Sequence, residues 1–226
     1  MVRRVATEAL GTTFLLMAVV GSGIMGERLA SGNMAIALLA NSVATGAALV
    51  ALILALGPIS GAHFNPVVTL ADAMQGGMAW REVPGYLTAQ ILGAFGGVAA
   101  ANAMFGLPLF FLSHHTRSGW PLWWSEFIAT FGLLAVIWGC ARAHSTAVSF
   151  AVGAYITSAY WFTSSTSFAN PAVTLARLAS DTFAGIRPAD VPAFIVAQLA
   201  GGLAATLAFR WMARPEITAV DKPDIL

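Results

Sequence analysis

Asn65-Pro-Val-Val-Thr-Leu-Ala-Asp72 and Asn170-Pro-Ala-Val-Thr-Leu-Ala-Arg177 are one motif written twice. Each opens a short apolar segment, 64–75 and 170–180. A helix that crosses a bilayer needs about 20 mostly apolar residues, so neither segment is long enough to cross. Proline is well tolerated in the first turn of a helix, where its missing N–H is not needed. Both segments therefore read as half-helices that start inside a membrane.

Working outward, the rest of the chain repeats in the same order. Glu8-Ala-Leu-Gly-Thr matches Glu126-Phe-Ile-Ala-Thr, and Ala89-Gln90-Ile-Leu-Gly matches Ala197-Gln198-Leu-Ala-Gly. Six longer apolar stretches, at about 5–26, 33–57, 84–105, 121–142, 145–163 and 190–212, have the length of membrane spans. They are too long, and alternate too little, for β-barrel strands. The expected fold is an all-α membrane protein: a bundle of six transmembrane helices plus two half-helices. It forms one transmembrane domain over 1–226, with repeat one at 1–110, repeat two at 118–214 and a short C-terminal tail at 215–226. Three spans per repeat is an odd number, so the second repeat enters the membrane inverted. Inverted repeats with broken helices place the functional site near the midplane.

Composition agrees. The 226 residues are 58% hydrophobic and 9% charged, against roughly 25% charged in a soluble domain. A net charge of +1 with no basic stripe argues against a nucleic-acid partner. Cys140 is the only cysteine, which excludes an internal disulfide and reads as structural filler. No cofactor or metal site is expected. Met1-Val-Arg-Arg followed by an apolar run to Gly23 has the outline of a signal peptide, but Glu8 interrupts it and its match at Glu126 marks it as the first span. Basic residues orient the chain. With the N-terminus inside, Arg3, Arg4, Arg81, Arg142, Arg210, Arg214 and Lys222 fall in the cytoplasm, while Arg28, Arg117, Arg177 and Arg187 fall outside. Both termini are expected to be cytoplasmic, in the cell membrane.

Two Asn-Pro starts meeting face to face give this arrangement its chemistry. The first N–H groups of each half-helix lack partners and carry the positive end of the macrodipole. The amides of Asn65 and Asn170 can donate to a passing oxygen. The preceding residues, Gly61-Ala62-His63-Phe64 and Thr166-Ser167-Phe168-Ala169, must run as non-helical backbone, which survives at membrane depth only where it lines a wet cavity or is buried in protein. Donors at the centre with carbonyl acceptors on either side suit neutral hydroxylated molecules and disfavour cations.

Ser60-Gly-Ala-His-Phe-Asn-Pro-Val-Val-Thr and Asn170-Pro-Ala closely resemble the paired signature of the aquaporin (major intrinsic protein) family, from Glu8 to Gln198. The resemblance implies a channel. Asn65 and Asn170 stand at its midplane, supported by Pro66, Val67, Pro171 and Ala172. It further implies that Glu8 and Glu126 hold the half-helix loops by accepting backbone hydrogen bonds, and that the chain forms a homotetramer. Two departures stand out. The first motif reads Asn-Pro-Val. The arginine that usually follows the second Asn-Pro-Ala is replaced by Val173, and Arg177 comes one turn later. By family spacing the other outer-filter positions are Thr45, Ser158 and Ser167, so the resemblance implies a wide filter of small, uncharged residues. Water should pass. Glycerol, urea and undissociated metalloid acids such as arsenite should pass too, as in the atypical bacterial members this chain resembles.

Other readings compete. An intramembrane carboxylate is functional by default, so Glu8 and Glu126 leave a proton-coupled transporter open. A channel devoted mainly to water is the nearer alternative. No Ser-His-Asp or HExxH pattern supports an enzyme. A purely structural adhesion role is the bland reading. Gln90 and Gln198 are expected to cross-brace helices, His63 to be an ordered loop residue, His114 and His115 to be solvated, and His144 to sit at an inner turn. The small-residue runs at Gly93 and Gly201 suit close helix packing, and Trp120, Trp123 and Trp124 suit an interface.

Overall fold

The computed structural model describes residues 1–143 and 147–212. His144, Arg214, Lys222 and the expected tail 215–226 lie outside the described residues. Eight α-helices among the described residues run in the order α1 Val2–Leu29, α2 Met34–Ser60, α3 Pro66–Gln75, α4 Val83–Met104, α5 Trp120–Ala143, α6 Val148–Phe162, α7 Pro171–Arg177 and α8 Val191–Met212. Among the described residues, α1, α2, α4, α5 and α8 are long and apolar enough to cross a membrane. Their outer faces carry bare side chains such as Leu92 and Val196, about two-thirds exposed. Such a surface suits lipid, the solvent that a chain this apolar requires.

Among the described residues, the expected fifth span, 145–163, is shorter than the others. α6 has 15 residues, about 22 Å at 1.5 Å per residue, against a hydrocarbon core of about 30 Å. It stops because Thr163 turns to extended backbone. Ser164 is then tied to α5, its N–H donating to Ser125 Oγ at 3.1 Å and its Oγ to the Pro121 carbonyl at 3.1 Å. From there the chain turns back into the protein.

The halves correspond element by element, α1–α4 with α5–α8. In each, the first helix packs on the fourth, and each half-helix touches the fourth helix of the other half as well as its own. The bundle centre is the crossing of α2 and α6. A Cβ built on Gly46 would stand 2.8 Å from the Gly153 carbonyl oxygen, and one on Gly153 would stand 2.7 Å from that of Gly46. α1 and α4 meet more closely still at Gly93, and α5 and α8 at Gly201. There a Cβ would come within 2.3 Å of the Ala9 and Phe127 carbonyl oxygens, respectively. Arg4 reaches Glu82 at 2.6 Å where α1 and α4 begin, and Arg28 donates to the Phe105 carbonyl at 3.0 Å where they end. These contacts fix a terminal side, which bears the starts of α1 and α4, and a far side opposite it, which bears their ends.

Candidate pore

Each half-helix is started by its asparagine. Asn65 is extended, with φ −154°, and its Oδ1 accepts from Val67 N at 3.0 Å. Asn170, with φ −157°, accepts from Ala172 N at 3.0 Å and Val173 N at 3.2 Å. A side-chain oxygen on an otherwise orphaned helix N–H is what an N-cap supplies. The residues before them run through the left-handed region: Ala62 and Phe64 at φ 49° and 47°, and Thr166, Ser167 and Ala169 at φ 62°, 49° and 47°. Each such non-glycine residue costs on the order of 1–3 kcal/mol.

Two buried carboxylates offset that strain. Glu8 accepts from His63 N at 3.1 Å, Phe64 N at 2.7 Å, Ser60 Oγ at 2.6 Å and Gln90 Nε2 at 2.8 Å. Glu126 accepts from Phe168 N and Ala169 N, both at 2.9 Å, and from Gln198 Nε2 at 2.6 Å. Each glutamine also donates to a half-helix threonine, Gln90 to Thr69 at 2.9 Å and Gln198 to Thr174 at 2.8 Å. Glu, Gln and Thr thus form the same clamp in both halves. A hydrogen bond to a charged acceptor is worth about 1.5–3 kcal/mol, enough to hold backbone that has no helix of its own.

The loops are also tied to each other. Asn65 Nδ2 donates to the Ala169 carbonyl at 2.7 Å, and Asn170 Nδ2 donates to the Phe64 carbonyl at 2.8 Å. An amide has two N–H donors, so each asparagine keeps one beyond this bond. Both line a single cavity of about 180 Å³. Its wall is built from α2 at Thr45, Leu49 and Ile53 and from α6 at Val148, Val152, Ile156 and Tyr160, a four-residue rhythm on both helices.

The cavity is chemically lopsided. The residue two before each asparagine meets the residue seven after it. On the terminal side His63 Nε2 lies 3.7 Å from Asp72 Oδ2, and His63 Nδ1 lies 3.1 Å from Thr69 Oγ1. On the far side the Arg177 Cζ stands 3.4 Å from the Phe168 ring centroid. Arg117 approaches the same ring at 5.0 Å, its guanidinium donating to the carbonyls of Gly185, Ser165 and Phe183. Ser167 Oγ is buried without a hydrogen-bond partner among the described residues.

Gly61, Ala62, His63, Phe64, Ser167, Phe168 and Ala169 border the cavity, together with Thr45 and Val173. Thr166, expected with them, is half-buried and is not in that wall. Pro66, Val67, Pro171 and Ala172 pack behind it, with Val67 Cγ1 against Gly202. Ser158 departs from expectation: it is exposed, donates to the Tyr155 carbonyl at 2.8 Å, and stands outside the cavity. Two residues is about 200° around a helix, so Tyr160 and Ser158 cannot share a face. Tyr160 takes the wall, its hydroxyl 3.2 Å from Thr45 Oγ1. The far-side lining therefore includes a phenol and, at Arg177, a guanidinium, and is not made of small uncharged side chains alone. The four-residue stripe ending at Tyr160 was the sequence signal for this; family spacing overrode it. His114 and His115 are exposed, as expected.

The family described as major intrinsic protein matches residues 1–145. The chain is 52% identical over 213 residues to "Aquaglyceroporin AqpS" of Rhizobium meliloti, a match that covers 94% of this chain and 91% of that one. It is 36% identical over 167 residues to "Aquaporin NIP1-1" of Zea mays, covering 69% of this chain and 56% of the maize protein. The fold matches the crystal structure of the aquaglyceroporin from Plasmodium falciparum with a TM-score of 0.71 at 24% identity, over 93% of this chain and 94% of that one.

Proposed function

The chain belongs to the major intrinsic protein family of membrane channels, and from that premise we propose that it is a passive pore for glycerol-sized polyols and undissociated metalloid acids such as arsenite, as well as water. The carrying observation is the reciprocal donation of Asn65 and Asn170 across the two loops while both line the one cavity. A neutral hydroxylated solute can exchange hydrogen bonds stepwise with the remaining amide N–H groups and the loop carbonyls. A cation meets outward-pointing N–H donors there instead.

Substrate size follows from the far-side wall. Thr45, Tyr160, Ser167 and Val173 are proposed as the filter, with a valine where the family usually has arginine. The relative from Rhizobium meliloti is named as an aquaglyceroporin, which supports solutes larger than water. Glu8 and Glu126 are proposed to serve the loops and not a coupled proton: all four oxygens already accept hydrogen bonds. Assembly as a homotetramer in the cell membrane, with both termini cytoplasmic, and a single channel domain spanning both repeats complete the proposal. Stopped-flow permeability of reconstituted protein to water, glycerol and arsenite tests it. Flux of all three above empty vesicles, unaffected by a pH gradient, is expected. Saturable uptake driven by pH would favour a coupled transporter.

A further inference from the structure

Arg177 ends α7, one helical turn beyond Val173. It lines the cavity yet is only 2% exposed. Its Nε donates to the Ala184 carbonyl, and its Cζ lies 3.4 Å from the centroid of the Phe168 ring. Phe168 is itself braced edge-on by Phe194, with centroids 5.3 Å apart. None of the ion pairs among the described residues includes Arg177. A guanidinium carries five N–H donors. Nε takes one, and stacking on a ring face uses none. Among the described residues no acceptor meets the other four, which are left for whatever fills the cavity. The unpartnered Ser167 Oγ belongs to the same wall. A buried cation without a counter-charge is expensive, so a protein that keeps one in a pore wall gains little stability from it.

We infer that Arg177 is the charge-selecting residue of the far mouth, an inference that rests on the channel reading above. Its positive charge turns cations away, and its free donors receive the oxygens of neutral hydroxylated solutes as they arrive. The stack on Phe168 holds the guanidinium against the wall, about 6 Å farther out than Val173 at 1.5 Å per residue. Charge selection is thereby separated from width, since the fixed charge does not sit at Val173. Asp72 occupies the matching position at the other mouth, so the two ends carry opposite charge. Phe168 acts here as a positioning residue.

Urea and guanidinium have the same shape and differ in charge, so their fluxes into proteoliposomes separate charge from size. Wild-type protein passes urea faster than empty vesicles and excludes guanidinium; wild-type vesicles that pass no urea would overturn the channel reading itself. In Arg177→Met, the guanidinium-to-urea flux ratio rises about tenfold or more, the scale of one unit charge removed from a low-dielectric mouth. Arg177→Lys keeps guanidinium excluded. Arg177→Gln retains a donor for Ala184 but loses the charge and the stack on Phe168, so it carries the same expectation as Arg177→Met if that variant does not insert. Guanidinium exclusion that persists in a urea-conducting Arg177→Met or Arg177→Gln overturns the inference. So does a lysine variant that leaks as much as they do, because Arg177 would then act through shape alone.

Discussion

Asn65 donates its side-chain amide to the carbonyl of Ala169 at 2.7 Å, which ties the cap of one half-helix to the loop of the other. Asn65→Asp has no N–H to give. Its carboxylate would face the Ala169 carbonyl and place a negative charge at the midplane. We expect proton and alkali-cation conductance to rise and water permeability to fall, read in the same proteoliposomes. A variant as ion-tight as the parent would show that cation exclusion does not depend on this centre.

Glu126→Gln tests the clamp. The new amide offers one acceptor oxygen where three donors converge from Phe168, Ala169 and Gln198, and its NH2 group faces a donor. The loss is on the order of 2–4 kcal/mol. Solubilised protein should unfold several degrees lower, whereas Glu27→Gln, at an exposed site on α1, should leave the transition in place. A parent protein with pH-driven uptake that Glu126→Gln abolishes at normal stability would instead return the carboxylate to a transporter mechanism.

Much of this architecture is legible in the sequence because its determinants are local and duplicated. Asn-Pro sets a helix start through capping and a missing N–H, and Glu8 with Glu126 reads as a pair because each is too expensive in lipid to be there without partners. What the sequence hid was set by rotation and by chain return. Tyr160 continues the four-residue stripe of Val148, Val152 and Ile156, but family spacing points to Ser158, and the face that α6 turns to α2 decides between them. Arg177 reads in the sequence only as a basic residue on the outer side, one turn beyond Val173, since nothing local indicates that Phe168 and the Ala184 carbonyl fold over it. The end of α6 at Phe162 falls within one residue of the expected bound at 163, and only the tie of Ser164 to Ser125 that follows it has no local signal.

Tyr160 and Ser158 can be told apart directly. Tyr160→Ser removes a ring from the far-side wall and should raise glycerol permeability more than water permeability. Tyr160→Phe removes only the hydroxyl that meets Thr45 and should slow polar solutes modestly without widening the pore. Ser158→Ala should change neither permeability, because its side chain is spent on Tyr155 at an exposed face. A Ser158→Ala effect equal to that of Tyr160→Ser would mean α6 is rotated from the arrangement described.

Val173→Arg asks whether the position vacated by arginine limits size. Val173 is 5% exposed and borders the cavity, and its neighbours Thr45 and Ser167 are small. An arginine there has room to extend into the lumen, reaching several ångströms beyond valine with five donors. It also stands four residues before Arg177, and like charges at that spacing repel by a few tenths of a kcal/mol on an exposed helix and by more in a pore. That repulsion favours a rotamer pointing inward. Glycerol and arsenite permeability should fall several-fold, water should fall less because it is smaller and can accept from the new donors, and the water-to-glycerol ratio should rise. Val173→Met supplies bulk without charge. If it changes the ratio as much as arginine does, size alone governs this point of the pore. If neither variant changes either permeability, the limiting constriction is not at Val173, and the Tyr160 variants become the measure of where it is.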